Sequence, residues 1–573
     1  LIAVRRITAG ICLVAGVVSS GVPPALSQDA VQVESALIDQ ATLPDAIDLK
    51  GARPKADPSV LAPAADALPP SLQNLVAPPP LALPDAPSQV RIHELRPLTL
   101  EEAIQLAEFN SPQLKAAASR VDQAKSALRA AIASWYPTVD LSASGLPEYF
   151  KSYSYQNPDF ALNGANENYS REWRANSSLR VSWDLINPAR VPQIAAARDR
   201  FERAGDAYLI ALRDLRLEAQ TAYFDLQRAD EGVRIGQDSV KASLVSYRDS
   251  RARFNAGVNT KLEVLEAETQ LARDRDTLTN NLRLQGEQRR NLARVLDLPQ
   301  DVTPTAATPA RPLGLWEPSL QESIVAAYNY REELDQLILD ISINNSQANA
   351  SLAAVQPVLS FVNSTSASRF EGQSGKTSLS DIDMGDFTYG VQNSTALTAS
   401  WRLFDGGRAR AEYRRSKQAA EQSRFDFANL RDRIRFEVEQ SFLGLRAAIQ
   451  SIDTTATEVL SSKESLRLSQ LRVQAGVGVQ REVVNNQRDL TQAELKYARA
   501  INSYNSNLAL LQRRTGLDAL IACNAVSLTG TKPEPDKEPI PIEPTPLKTA
   551  CPSVATDGST LNQTETSPVQ PLR

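Results

Sequence analysis

The side chains that usually do chemistry are scarce in this sequence. It holds one histidine, His93, and one methionine, Met384, among 573 residues. A lone imidazole in a proline-rich stretch has no second acid, base or thiol at a useful spacing, so acid–base and metal catalysis lose their commonest agents. Of three cysteines, Cys12 falls in the apolar N-terminal run, while Cys523 and Cys551 stand near the C-terminus, outside any CxxC and away from histidine. In an oxidising compartment that pair predicts a structural disulfide closing a loop over weakly ordered chain. No Ser/His/Asp set, phosphate loop or metal-spaced cluster is visible, so no catalytic residue, metal or cofactor is expected. What remains are carboxylates at a repeated spacing. Glu263 and Glu266 lie six and nine positions after Gly257, and Glu482 and Asn485 lie six and nine after Gly476. Residues three apart share a helix face. Acids on such a face attract cations where symmetry gathers them into a ring, and otherwise serve as the solvated face of a coiled coil.

The elements that must hold these residues are long helices. Roughly two thirds of the chain is Ala-, Leu-, Arg-, Glu- and Gln-rich with helical periodicity, which favours a few very long helices over several globules. The net charge is −5 with acids and bases interleaved, so no basic stripe exists to follow a nucleic acid backbone. Arg5 and Arg6 precede an apolar run from Ile7 to Val18, and Ala25-Leu26-Ser27 follows as a small-x-small cleavage signal. This predicts an exported protein whose signal peptide covers 1–27. The run is shorter than a membrane span, and no other stretch approaches that length, so a membrane-spanning form must use strands.

The body repeats itself at an offset near 219. Thr99-Leu100-Glu101-Glu102 matches Ser319-Leu320-Gln321-Glu322, Tyr136-Pro137 matches Gln356-Pro357, and Arg253-Phe254-Asn255-Ala256-Gly257 matches Arg472-Val473-Gln474-Ala475-Gly476. The constant shift means tandem duplication of one unit. Each unit opens with a helical stretch (98–135, 319–354) that stops before Pro137 or Pro357. The period then changes to two. Val139, Leu141 and Ala143, then Leu179, Val181, Trp183 and Leu185, alternate with polar residues, as do Leu359 and Phe361, then Leu397, Ala399, Trp401 and Leu403. Such strands suit a barrel with lipid outside and water inside. Polar segments at 151–172 and 366–388 read as loops, and Tyr149, Phe150, Tyr153, Tyr155 and Trp173 read as an interfacial girdle. Helices of nearly 70 residues (188–256, 407–475) follow, about 100 Å at 1.5 Å per residue. Leu212, Leu215, Ala219, Ala222, Leu226, Ala229 and Val233 keep a coiled-coil seam on the first, and shorter helices return over 260–297 and 479–516. Four strands cannot close a barrel, and an open edge is not tolerated in lipid, so association is required; three chains give twelve strands.

Over about 425 residues this body resembles the TolC family of outer-membrane efflux proteins. Trp401-Arg402-Leu403-Phe404-Asp405-Gly406-Gly407-Arg408 is similar to the family's strand-to-helix element, and Trp183 to Arg190 is its first-unit version. Arg253-Phe254-x-x-Gly257 and Arg472-Val473-x-x-Gly476 resemble its tip turn. The resemblance implies a mainly α chain with a membrane β-barrel part: two tandem units of long coiled-coil helices plus two strands, forming a homotrimeric α/β-barrel duct. It implies a place in the outer membrane, in contact with lipid and with the helical barrel reaching into the periplasm. It also implies a passive channel of a tripartite efflux or type I secretion system, opened when a periplasmic adaptor (membrane fusion) protein and an inner-membrane transporter dock. On the family pattern Glu482, Glu263, Glu266 and Asn485 become tunnel-lining gate candidates, although Asn485 replaces an acid that the family often carries. The tips Gly257, Val258, Asn259, Gly476, Val477 and Gly478 become adaptor contacts. Val473 and Phe254 stand where the family has an aromatic hydroxyl latch, which implies a different closed-state latch.

The division expected is a signal peptide (1–27), a Pro-rich N-terminal arm (28–97), a first efflux repeat (98–298), a linker (299–318), a second repeat (319–523) and a Pro/Thr/Ser-rich tail (524–573). Both arms read as extended and poorly ordered. The competing reading is an exported periplasmic coiled-coil scaffold without channel activity.

Overall fold

The computed structural model describes residues 65, 67–86, 89, 94–156, 166–258, 260–376, 388–518 and 520–522. The expected signal peptide, His93, Asn259, Met384, the Cys523/Cys551 pair and the tail over 524–573 lie outside the described residues. The first unit opens with β1 (Glu94–Leu98), α1 (Leu100–Asn110) and α2 (Pro112–Ala133), continues through β2 (Thr138–Gln156) and β3 (Asn166–Ile186), and closes with α3 (Arg190–Asn255) and α4 (Lys261–Val295). After β4 (Val302–Ala306) and β5 (Gly314–Trp316), the second unit runs through α5 (Leu320–Tyr330), α6 (Glu332–Ala353), β6 (Val358–Lys376), β7 (Thr388–Ser400), α7 (Arg408–Gln474), α8 (Gln480–Thr515) and β8 (Leu520–Ala522).

Local chemistry sets these boundaries. Thr99 with Glu102 and Ser319 with Glu322 form capping boxes at the starts of α1 and α5, satisfying two orphan N–H groups each. The helical openings predicted as single stretches are each two helices. Pro112 starts α2 with Ser111 as its cap, and Arg331 takes an extended backbone between α5 and α6. In the second break no proline is needed, because the Arg331 guanidinium is held by Glu333 at 3.1 Å and Glu437 at 2.6 Å.

The seam predicted on α3 is the core of the first unit. Leu212, Leu215, Ala219, Ala222 and Leu226 are all buried, with Tyr223, Phe224 and Leu292. The second unit has its own core around Ile434, Val438, Phe442, Leu445, Tyr504 and Trp316. One buried ionic network joins the two. Arg213 of α3 reaches Glu332 of α6 at 2.7 Å, with 4% and 6% of the side chains exposed, and Arg513 of α8 bridges Glu333 (2.8 Å) and Asp214 (2.5 Å). Burial pushes the Glu332 carboxyl up and the Arg213 guanidinium down. Burial also acts against Glu333, yet the Arg331 hydrogen bond and the charges of Arg513 and Arg331 hold it down at about 2.

Strands β2, β3, β6 and β7 form one antiparallel sheet in that order. Its two faces differ. Val139, Leu141, Tyr149, Trp173, Leu179, Trp183, Val391 and Leu397 lie exposed on one face, and register places Thr138, Ser142, Ser178, Ser182, Ser364, Ser366 and Ser394 on the other. Hydroxyls on that face pair across strands, Thr138 with Ser182 and Ser142 with Ser178 at 2.7 Å each. The apolar face also carries polar pairs, Asn363 with Thr395 and Asn393 with Thr365, that bond to each other. Among the described residues β2 and β7 have no partner on their outer edges. No described helix is long and apolar enough to cross a membrane.

Several expectations change. The strands run well into the stretches read as loops, β2 to Gln156, β3 from Asn166 and β6 to Lys376, because antiparallel pairing satisfies the backbone whatever the side chains. β7 ends at Ser400, so Trp401 and Leu403 are not in the strand; the Trp401 indole donates to the Val355 carbonyl at 3.0 Å. Phe150 does not share the aromatic girdle with Tyr149, since neighbours in a strand face opposite ways. Tyr149 pairs with Trp173 at 5.0 Å, and Phe150 instead stacks on Arg174 at 3.3 Å. The Tyr155 side chain lies outside the description. The linker contains β4, which pairs with β1, and β5, which pairs with β8. Part of the N-terminal arm is packed rather than loose. Leu68, Leu72 and Leu75, the last two in a 3₁₀ turn over Pro70–Leu75, sit in the first core, and Asn110 donates to the Leu75 carbonyl at 2.8 Å.

Candidate gate at the helix tips

Each long helix turns back through a glycine. Gly257 (φ +74°) and Gly476 (φ +75°) take the left-handed conformation that terminates α3 and α7. The turns close on the orphan carbonyls of the last helical turn: the Val258 N–H reaches Arg253 O at 2.9 Å, and the Val477 N–H reaches Arg472 O at 3.0 Å. No Cβ neighbour lies near either glycine, so only backbone conformation selects it. Val258 and Val477 stand nearly bare beyond them, 73% and 72% exposed. Gly257, Val258, Gly476, Val477 and Gly478 therefore form two adjacent-in-plan tips that a partner could reach.

The acidic candidates are placed just inside. Glu263 is in the first turn of α4 and Glu482 in the first turn of α8, where the helix dipole favours negative charge. Neither gate pair is bare. Glu482 lies 3.3 Å from Arg472 across its own hairpin, and Glu266 takes two hydrogen bonds from Arg481, at 2.5 and 3.0 Å. The Glu266 hydrogen bond, with its charge and that of Glu263, raises the Arg481 guanidinium. Asn485 is half-buried next to them on α8 and adds no charge.

Three residue pairs thus tie one repeat to the other near the tips. Besides Arg481 with Glu266, Arg253 Nη1 donates to the Val473 carbonyl at 3.1 Å, and Gln480 Nε2 donates to Ser246 Oγ at 2.6 Å. The side chain of Val473 is buried in a small apolar knot with Leu466 and Val483, so the position that lacks a latch hydroxyl contributes its backbone instead. Sequence reasoning found the acids but missed Arg481 and Arg253, whose partners lie 215 and 220 positions away. Arg481→Ala breaks the exposed pair with Glu266, and severalfold faster hydrogen exchange of the tip amides is expected; unchanged exchange would show that the pair does not hold the tips together.

Comparisons with known proteins agree along most of the chain. The model of the outer membrane efflux protein family matches residues 103–297 and 324–517. Protein CyaE of Bordetella pertussis is 24% identical over 444 residues, covering 75% of this chain and 86% of the relative. A membrane protein from Pseudomonas aeruginosa superposes with a TM-score of 0.58 at 18% identity, over 73% of this chain and 93% of that one. The outer membrane protein VceC from Vibrio cholerae gives 0.56 at 17% identity, over 73% and 96%. At these identities the structural likenesses establish the fold.

Proposed function

We propose, because this chain belongs to the outer membrane efflux protein family, that it is the outer-membrane channel of a tripartite export system, opened when a periplasmic adaptor and an inner-membrane transporter dock on its tips. The family is one of outer-membrane efflux or secretion channels, with strands in the membrane and a helical tunnel in the periplasm. The transporter supplies the energy in this reading, and the chain supplies a water-filled path and a gate.

The observation that carries the reading is the four-stranded sheet whose two edges are unpaired among the described residues, continuous with α3 and α7 of 66 and 67 residues. Each such helix extends about 100 Å, far beyond any bilayer. Three copies supply twelve strands, an even number that closes a barrel. Phe425, Phe436 and Leu443 support the trimer: they lie exposed along α7 at spacings of eleven and seven, one helix face, opposite the buried Ile434, Val438 and Phe442. That apolar stripe fits a neighbouring copy.

The test is single-channel conductance of the purified, cross-linked protein in a planar bilayer. Discrete cation-preferring openings are expected, and Glu482→Ala is expected to weaken the preference without abolishing conductance. Because Arg472 neutralises Glu482 in the present conformation, the effect belongs to the open state, once that pair separates. A particle that never conducts would return the scaffold reading.

A further inference from the structure

Inside the first hairpin, packed against the α3 serines, of which Ser239 reaches α8, lies a buried carboxylic acid with no cation. Asp274 of α4 is 4% exposed and sits about 20 Å above the tip, counting from Lys261. Its Oδ1 accepts from Gln270 Nε2 at 2.9 Å, and its Oδ2 has no hydrogen-bond partner. Ser239 and Ser243 of α3 lie close enough to moderate its charge. Ser243 donates to the Ser239 carbonyl at 2.9 Å, and Ser239 Oγ accepts from Thr491 of α8 at 3.1 Å, which leaves the Ser239 proton to face Asp274. That last bond crosses from the second repeat to the first. All five side chains are buried.

The charges on the surrounding elements are committed elsewhere. On α3, Arg234 pairs with Glu231 and Asp238, and Lys241 also pairs with Asp238. On α8, Glu494 faces that Arg234 cluster and Lys463, and Arg488 pairs with Asp489. On α4, Arg273 and Arg275 flank Asp274 in sequence but point to solvent. No charged side chain contributes to the titration of Asp274. Towards the tip the same packet borders a cavity of about 220 Å³ between α3, α4, α7 and α8, lined by Ser243, Gln270, Gln480 and Gln487 and by the charged Asp249 and Arg253, the latter held by the Val473 carbonyl. The hairpin therefore has room to shift.

We propose that Asp274 is a positioning residue that acts as a proton-responsive pin: neutral, it holds the first hairpin against α8, and ionised, it loosens that contact. Burying an unpaired carboxylate is costly, whereas its protonated form is readily accommodated among hydroxyls and amides. Burial pushes this carboxyl above its ordinary value, against the weaker opposing pull of Ser243, Ser239 and Gln270. The sign follows from linkage. A group that binds its proton more tightly in the packed state favours that state at low pH, and the benefit is lost as pH rises through the raised value. The packed-to-loosened ratio changes about tenfold for each unit by which the two proton affinities differ. Resting on the duct reading, the pin makes acidification favour the closed channel.

The test compares the full-length wild type, Asp274→Asn and the surface control Asp276→Asn, by thermal unfolding and by bilayer conductance from pH 7.5 down to the ordinary carboxylate range near pH 4. The wild type and Asp276→Asn are expected to gain thermal midpoint and lose open fraction severalfold on acidification. Asp274→Asn, a permanent mimic of the neutral acid, is expected to show a raised midpoint at pH 7.5 and a flat response. An unfolding profile in Asp274→Asn with the wild-type pH slope overturns the pin, whether or not the protein conducts. Differing slopes in a protein that never conducts uphold the pin and overturn the duct.

Discussion

Arg213→Ala will destabilise the folded chain by about 3–5 kcal/mol, the range for breaking a buried ion pair by removing one partner. The loss arises from what stays behind. Glu332, whose side chain is 6% exposed beside Arg213, would lose this cation next to Glu333, which is already committed to Arg331 and Arg513. Denaturant unfolding of the solubilised protein measures the cost. Because burial already pushes the Glu332 carboxyl up, the orphaned acid will protonate readily, and the deficit will shrink as pH falls. Arg213→Met combined with Glu332→Met should recover most of the lost stability, since matched apolar side chains leave no buried charge. If the single variant is neutral, the network is not what joins the two repeats.

Gly372→Ala will cost about 2–4 kcal/mol and will act on the sheet rather than the helices. Gly372 has φ +149°, and a Cβ built there falls on the Arg171 carbonyl oxygen and 2.6 Å from Glu172 Cα. The clash is with backbone, which cannot swing aside. Register opposes Gly372 to Glu172, so the added methyl would part β3 from β6, which among the described residues is the seam joining the strands of the first repeat to those of the second. The fraction of protein recovered as the proposed oligomer, resistant to detergent until heated, reports this directly. Full recovery would show that β3 and β6 tolerate separation at this point.

Much of the architecture was legible in the sequence because it rests on strong local signals. The near-219 offset exposed the duplication, and Pro137 and Pro357 marked the change from helix to strand. The α3 seam was readable because seven apolar residues keep a 3,4 spacing through a helix with no competing period. What escaped was short or distant. β1 and β4 hold five residues each, with Pro97 and Pro304 inside them, and they pair across some two hundred positions. Proline argues against a strand in sequence reasoning, yet a two-stranded parallel ribbon tolerates it at its edge. Leu72 and Leu75 were hidden by the prolines around them. The acids near the tips were visible, but their arginine partners were not, because an ion pair between repeats leaves no mark on either local pattern.

The two unpaired sheet edges have a consequence for inheritance. In the proposed ring, a protomer whose β2 and β7 edges are open among the described residues would complete its strand pairing only with its neighbours, so each ring would be as sound as its poorest member. A chain that still folds its helices and enters the ring, but offers a distorted β2 or β7, therefore disables the normal copies it joins. Edge-strand lesions of that kind will be dominant over the intact gene, whereas lesions that prevent folding altogether will be recessive.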